Sequence, residues 1–159
     1  MIKYLGLFIA VLILSCSDGR VGGRKVLISK IDSLGKKIKN VYKPGFGEIM
    51  SGIQRHHTKL WFGGINNNWK LASFEIHEIN ELLEDLEEYQ SSRKETRFLN
   101  MISPDIDSIK TAIESKNVND FKQKYIRLTN MCNDCHIKTE YEFIKIAVPD
   151  KNPFSDQKY

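Results

Sequence analysis

The chain has 159 residues, of which 41% are hydrophobic and 28% are charged, with a formal net charge of +4 at pH 7. This composition is ordinary for a soluble globular domain, and so mild a positive charge gives no reason to expect nucleic-acid binding. The residues after Cys16 are close in number to the commonest domain size. One domain with one hydrophobic core is therefore expected.

Residues 1–16 are predicted to be a signal peptide. Lys3 precedes an apolar run that is too short to span a bilayer as a helix. The run ends in Ile13-Leu14-Ser15-Cys16, which resembles the lipobox of bacterial lipoproteins. That resemblance implies export to the periplasm and membrane attachment through a lipid on Cys16. The alternative is an ordinary secretory signal with a fortuitous cysteine, and in either case the chain is expected to be exported.

Residues 17–43 are predicted to be a basic tether. Apolar residues recur within it at helical spacing, which allows one helix there: Val26, Leu27, Ile31, Leu34 and Ile38. A basic segment beside an anchor favours anionic lipid, but a solvated linker is the preferred interpretation.

Two amphipathic helices are predicted next. The first covers about residues 45 to 63, and its apolar stripe comprises Ile49, Met50, Ile53, His57, Leu60 and Trp61. Gly63 and Gly64 are expected to end it, and the asparagines at 66–68 offer caps for the second helix. The second stripe comprises Trp69, Ala72, Ile76, Ile79, Leu83 and Leu86.

Two further helices complete the predicted domain, residues 44–142. Ser103 and Pro104 predict the start of a short helix, with Ser103 as its cap. Asn117 is expected to cap the last helix, whose stripe comprises Val118, Phe121, Tyr125, Leu128, Cys132 and Cys135. Short connections between four amphipathic helices predict an all-α fold, an antiparallel four-helix bundle. Residues 143–159, with prolines at 149 and 153, are expected to form an extended tail that packs on the bundle.

The most specific motif is Cys132-Asn133-Asp134-Cys135-His136, because C-x-x-C-H is the attachment signature of haem c. On one helical turn both cysteines can form thioethers to the haem while His136 reaches the iron. A zinc site would need further ligand pairs, and a thioredoxin-like dithiol would need a strand before its helix. With lipid on Cys16 and one haem on Cys132 and Cys135, no cysteine is left as a free thiol, which suits an oxidising compartment.

Four residues are candidates for the sixth ligand of the iron: Met50, His56, His57 and His77. His56 lies at the edge of its helical stripe and is expected to face solvent, as is His77. Met50 and His57 both point inward, but about 10 Å of helix separates them, so only one can lie level with the iron. In an antiparallel bundle the end of the last helix lies beside the start of the first, which favours Met50 and leaves His57 as the alternative. An open site is the third option.

In its motif and architecture the chain resembles the cytochrome c′ family and its four-helix relatives over about residues 45 to 140. Relatives with Met/His ligation carry their methionine early in the first helix, which agrees with Met50. A closer likeness is to a group of small exported bacterial monohaem proteins. The positions that carry it are Met50, Ile53-Gln54, His57, Lys59-Leu60-Trp61-Phe62, Asn68-Trp69, Leu71-Ala72, Glu75, Glu78-Ile79 and the tail Asn152-Pro153-Phe154-Ser155-Asp156-Gln157.

The function expected from these features is one-electron transfer by a monohaem c-type cytochrome with a redox partner protein, because Met/His ligation closes the iron to other ligands. The alternative is an open sixth site that binds nitric oxide or carbon monoxide, as in cytochrome c′. An enzyme such as a peroxidase has only His57 as a distal acid-base group, so no catalytic residue is predicted. The resemblance also allows a homodimer.

Overall fold

The computed structural model describes residues 18–41 and 43–159, and this part of the chain is helical with no β-strand, which confirms the all-α prediction. The chain divides into two units, Met1–Lys43 and Pro44–Tyr159. Helix α1, Asp18–Val41, belongs to the first unit. The predictions for residues 1–16, including the lipid site at Cys16, lie outside the described residues. No described helix is both long and apolar enough to cross a membrane.

The second unit contains four α-helices and a 3₁₀-helix. They are α2 (Phe46–Ile65), α3 (Trp69–Tyr89), the 3₁₀-helix Glu95–Met101, α4 (Ser103–Glu114) and α5 (Val118–Lys138). Helix α2 packs against α3 and α5, and α4 packs against the same two helices. Their apolar stripes meet in one core, whose buried members include Leu60, Ala72, Ile76, Ile79, Ile106, Ile109, Phe121, Tyr125 and Leu128.

The prediction that Gly63 and Gly64 end α2 is wrong, because the helix continues to Ile65. A methyl group on Gly64 would lie only 2.1 Å from the ring of Phe121, and one on Gly63 would lie 3.2 Å from the backbone nitrogen of Ala72. The two glycines therefore allow α5 and α3 to approach α2 closely. The chain reverses after Asn66, and Asn67 adopts the left-handed conformation with φ of 60°.

The predicted helix caps are partly correct. The Asn117 side chain accepts hydrogen bonds from the backbone of Asn119 and Asp120, both 3.1 Å long, as expected. Ser103 does not cap α4, because it is already the first residue of the helix and its side chain makes no capping bond. The 3₁₀-helix brings the chain into α4 with Ile102 in the helical conformation, so the extended backbone that an N-cap needs is missing.

Residues 139–159 contain neither helix nor strand. The end of this segment contacts α2: the ring of Tyr159 lies 5.3 Å from that of Phe62, and Lys59 Nζ lies 5.1 Å from the centre of the Phe154 ring. Nearer its start, Val148 packs against the main core.

Candidate functional site

A cavity of about 450 Å³ lies within the second unit. The five residues that the sequence predicts for the site all line it: Met50, His57, Cys132, Cys135 and His136. Half of the other lining residues are large apolar side chains, namely Phe46, Ile53, Leu83, Leu99, Ile102, Ile144 and Ile146. Its volume falls within the range of about 300–1,000 Å³ that is usual for small-molecule and cofactor sites.

Cys132 and Cys135 lie in the last turns of α5, whose helical backbone continues unbroken to Lys138. Burial raises the pKa of the Cys132 thiol to about 12 and also raises that of Cys135. Reactive redox cysteines have the opposite property, a lowered pKa that gives a thiolate at neutral pH. The surroundings of the pair therefore do not favour a thioredoxin-like dithiol.

His136 is held by the chain that follows α5. Its Nδ1 lies 2.8 Å from the carbonyl oxygen of Ile144. Because a carbonyl oxygen only accepts, Nδ1 carries the proton of the neutral ring and Nε2 has a free lone pair. Metal-binding histidines usually donate their other ring N–H to a carbonyl in this way, which orients the ring and makes it a better ligand.

Asn133, one of the two variable positions of the motif, holds the same segment. Its side-chain amide donates to the carbonyl oxygen of Ile146 at 2.9 Å and accepts from the backbone nitrogen of Ile146 at 2.8 Å. We call residues 139–148 the strap, since this segment lines the cavity with Thr139, Tyr141, Ile144 and Ile146. Asn133 and His136 together attach the strap to the last turns of α5.

His57 is engaged through both ring nitrogens. Nε2 lies 3.0 Å from the Thr129 hydroxyl and Nδ1 lies 2.9 Å from the Tyr125 hydroxyl, against whose ring the imidazole stacks. Burial lowers the pKa of His57 to about 4, so the ring is neutral at pH 7. A neutral imidazole has one donor and one acceptor, and these two hydroxyls use both. Binding a metal ion through Nε2 would require giving up Thr129.

Met50 lies one helical turn after the start of α2 and is half-buried. It packs against a small cluster formed by Ile49, Leu86 and Leu99, and it lines the same cavity as His136. Thioether sulfur is a weak hydrogen-bond acceptor and needs no polar partner when it is buried. Met50 can therefore serve either as core packing or as a ligand without any change in the hydrogen bonds around it.

No family model, curated protein or solved structure matches the chain. The case for the site therefore depends on its own residues.

A second polar group at the cavity, formed by Arg93, Glu95 and Tyr141, could not be predicted from the sequence. Arg93 makes a forked pair with Glu95, with bonds of 3.2 Å and 2.7 Å, and the Tyr141 hydroxyl donates to Glu95 at 3.2 Å. The hydrogen bond from Arg93 is the main reason why the pKa of Glu95 is lowered to about 2. Glu95 is thus a buried carboxylate that remains charged at neutral pH, and Arg93 is the one Lys or Arg that lines the cavity in the described part.

The other two histidines lie outside the cavity lining. His77 is 64% exposed and pairs with Glu81 on its own helix, as a surface residue is expected to do. The prediction that His56 faces solvent is wrong, because its side chain is only 20% exposed and Nδ1 lies 2.6 Å from the buried carboxylate of Glu75. Glu75 belongs to the buried face of α3, so His56, which lies beside the apolar stripe of α2, points towards α3 and not towards solvent.

The donor atoms at the cavity restrict its chemistry. Nowhere in the described residues do three or more His, Cys, Asp or Glu side chains converge as a metal site would require. Two thiols one helical turn apart can each form a covalent thioether, and an adjacent imidazole that presents Nε2 can serve as an axial ligand. Such a set fits a planar cofactor that supplies its own metal.

Proposed function

We propose that the cavity holds one haem c, joined by thioethers to Cys132 and Cys135 with His136 Nε2 as an axial ligand, and that the protein is an exported one-electron carrier. The observation that carries this proposal is that Cys132, Cys135 and His136 line one largely apolar cavity together with Met50. The hydrogen bond from His136 Nδ1 to Ile144 supports it, since this bond leaves Nε2 as the ligand.

The surroundings of the cavity suit a haem. Apolar side chains such as Phe46, Leu99 and Ile102 would exclude water from the macrocycle, and Arg93 would offer a positive charge to its carboxylates. When bound, haem supplies the iron that changes oxidation state by one electron, and the protein sets its potential through axial ligands, hydrogen bonding and burial. In this proposal α2 to α5 run antiparallel, so that the start of α2 lies beside the end of α5.

Met50 is the preferred sixth ligand. His57 already uses both ring nitrogens with Tyr125 and Thr129, and removing it from Thr129 would cost a buried hydrogen bond. Met50 has no such bond to lose. Met/His ligation raises the reduction potential, and a six-coordinate iron has no free position for other ligands, which together suit an electron carrier. The buried, neutral His57 also makes a poor proton donor or acceptor, so we do not propose a peroxidase.

Covalent attachment is tested with the full chain expressed together with a haem c maturation system. The Cys132→Ala/Cys135→Ala variant should give no haem stain on a denaturing gel, whereas Asp134→Ala, which changes a variable position of the motif, should stain like the wild type. Circular dichroism would show whether both variants remain helical. Undiminished staining of the double variant would contradict thioether attachment at these cysteines.

The sixth ligand is tested by absorption and magnetic circular dichroism spectra of both oxidation states. The wild type should be low-spin and slow to bind carbon monoxide, and Met50→Ala should become high-spin and bind it quickly. Met101→Ala, a half-buried methionine that does not line the cavity, is the matched control and should remain low-spin. A wild type that is already high-spin would exclude the electron carrier in favour of a nitric oxide or carbon monoxide binding protein.

We also propose that Cys16 carries a lipid that holds the exported protein at the membrane. Metabolic labelling with a radioactive fatty acid should mark the wild type and leave Cys16→Ser unlabelled. Label in the Cys16→Ser variant would contradict the assignment.

A further inference from the structure

Helix α1 carries an exposed apolar stripe. Leu27, Ile31, Leu34 and Ile38 are between 57% and 67% exposed. At about 100° per residue these four side chains fall within an arc of about 60°. With Val26 and Ile28, which lie outside this arc, α1 carries six of the eleven large exposed hydrophobic residues in the described part of the chain. Contiguous apolar surface of this kind usually marks an interaction site.

The charges on α1 indicate what the stripe binds. Between residues 22 and 38 the helix carries five exposed basic residues, Arg24, Lys25, Lys30, Lys36 and Lys37, and one acidic residue, Asp32. On the same projection Arg24 lies beside one edge of the stripe and Lys30 and Lys37 lie beside the other, about 50° to 90° from its centre. Long basic side chains in these positions can extend to lipid phosphates while the apolar residues between them are buried.

A second copy of α1 fits the stripe less well. The spacing of Leu27, Ile31, Leu34 and Ile38 also matches the seam of a coiled coil, but it covers only about two heptads. The flanking positions on one side are Lys30 and Lys37, and those on the other side are Ile28 and Gly35. They provide no acidic partner for the lysines, so two such helices would bring like charges together without any compensating pair.

We propose that α1 lies in the interface of an anionic membrane, with the stripe among the acyl chains and the flanking lysines among the headgroups. An amphipathic helix with a basic polar face is the usual form of such a surface-bound element. This second contact with the membrane does not depend on the haem or on the lipid at Cys16, and it would hold α1 parallel to the surface.

Site-directed spin labelling of the full-length holoprotein tests the proposal, with the N-terminus that the protein carries after export. A nitroxide is placed at position 31 by Ile31→Cys and, as the control on the opposite face, at position 36 by Lys36→Cys. On phosphatidylglycerol vesicles, the label at position 31 should be several-fold more accessible to oxygen than to a water-soluble nickel complex. The label at position 36 should show the reverse, and phosphatidylcholine vesicles should abolish the difference.

Two results would overturn the proposal. Equal access of nickel to both positions on phosphatidylglycerol would mean that α1 is a solvated linker. Dipolar broadening between labels at position 31, independent of lipid, would mean that a second copy covers the stripe. The Lys30→Gln/Lys37→Gln variant should lose the oxygen accessibility at position 31 more completely than Lys25→Gln/Lys36→Gln, which removes the same charge from the far face. Equal effects of the two pairs would contradict the placement of the flanking lysines.

Discussion

His57 should make the folded protein lose stability as the pH falls from 6.5 to 4. Burial lowers the pKa of this side chain from 6.5 to about 4 in the folded state. Between these two values the unfolded chain binds a proton that the folded protein does not, so acid favours unfolding. The stabilising effect of the neutral ring is therefore fully present above pH 6.5, declines through this window and is absent below pH 4.

The expected magnitude follows from the same pKa values. The difference between 6.5 and about 4 corresponds to about 3 kcal/mol of unfolding free energy. His57 is only 4% exposed, so solvent does not screen this effect appreciably. Domains of this size are stable by only about 5–15 kcal/mol, and a loss of this order is readily measured.

The assay is urea unfolding of the holoprotein at several pH values between 4 and 7, with His57→Phe as the matched variant. The variant leaves both hydroxyl groups with a backbone acceptor, because the Tyr125 hydroxyl lies 2.8 Å from the carbonyl oxygen of residue 57 and the Thr129 hydroxyl lies 2.9 Å from that of Tyr125, and each can donate there once the ring is removed. The carboxylates titrate in both proteins, so the difference between them isolates His57. If the unfolding free energies of the two proteins change in parallel with pH, the reasoning is refuted. Loss of the low-spin haem spectrum in His57→Phe at pH 7 would instead assign the sixth ligand position to His57.

Three further predictions concern the strap, the helix contact and the buried carboxylate. Asn133→Ala should keep its covalent haem but raise the reduction potential, because a less firmly held Ile144 carbonyl accepts a weaker hydrogen bond from His136. Protein-film voltammetry measures the potential, and a value equal to that of the Asp134→Ala control would contradict the prediction. Gly64→Ala should lower the unfolding free energy by about 1–3 kcal/mol in a urea titration, because its methyl group meets Phe121. The control is Gly47→Ala, whose methyl group meets nothing within 4 Å and which should lower the unfolding free energy far less. Arg93→Gln should lower the thermal midpoint more than Lys94→Gln, because only Arg93 pairs with a buried carboxylate, and equal shifts in calorimetry would argue against this.

The helices could be predicted from the sequence because apolar residues recur with the helical period. The first predicted stripe, from 45 to 63, lies within one to two residues of the observed Phe46–Ile65. The role of Gly63 and Gly64 is ambiguous in the sequence because glycine serves two purposes: it ends helices and it lets helices approach closely. Only the position of Phe121, far along the chain, decides between these uses at Gly64.

The candidate site could be predicted as far as its donor atoms, because C-x-x-C-H has a fixed spacing and Met50 and His57 lie on a recognisable stripe. The partners of those atoms could not. Glu75 lies in a run of acidic residues, a pattern typical of a solvated helix face, yet it is 1% exposed and accepts from His56. Likewise the pairing of Glu95 with Tyr141 joins residues that are 46 positions apart, a separation at which no local pattern exists.

The orientation of His136 shows the same limit most clearly. Its acceptor is a backbone carbonyl, which any residue at position 144 would offer, so the identity of Ile144 carries no signal. The path of the strap determines whether that carbonyl lies opposite Nδ1. The Asn133 side chain fixes this path through its two hydrogen bonds to the backbone of Ile146. In the proposed haem site, a position that the attachment motif leaves variable thus controls the ligand strength of the histidine that the motif requires.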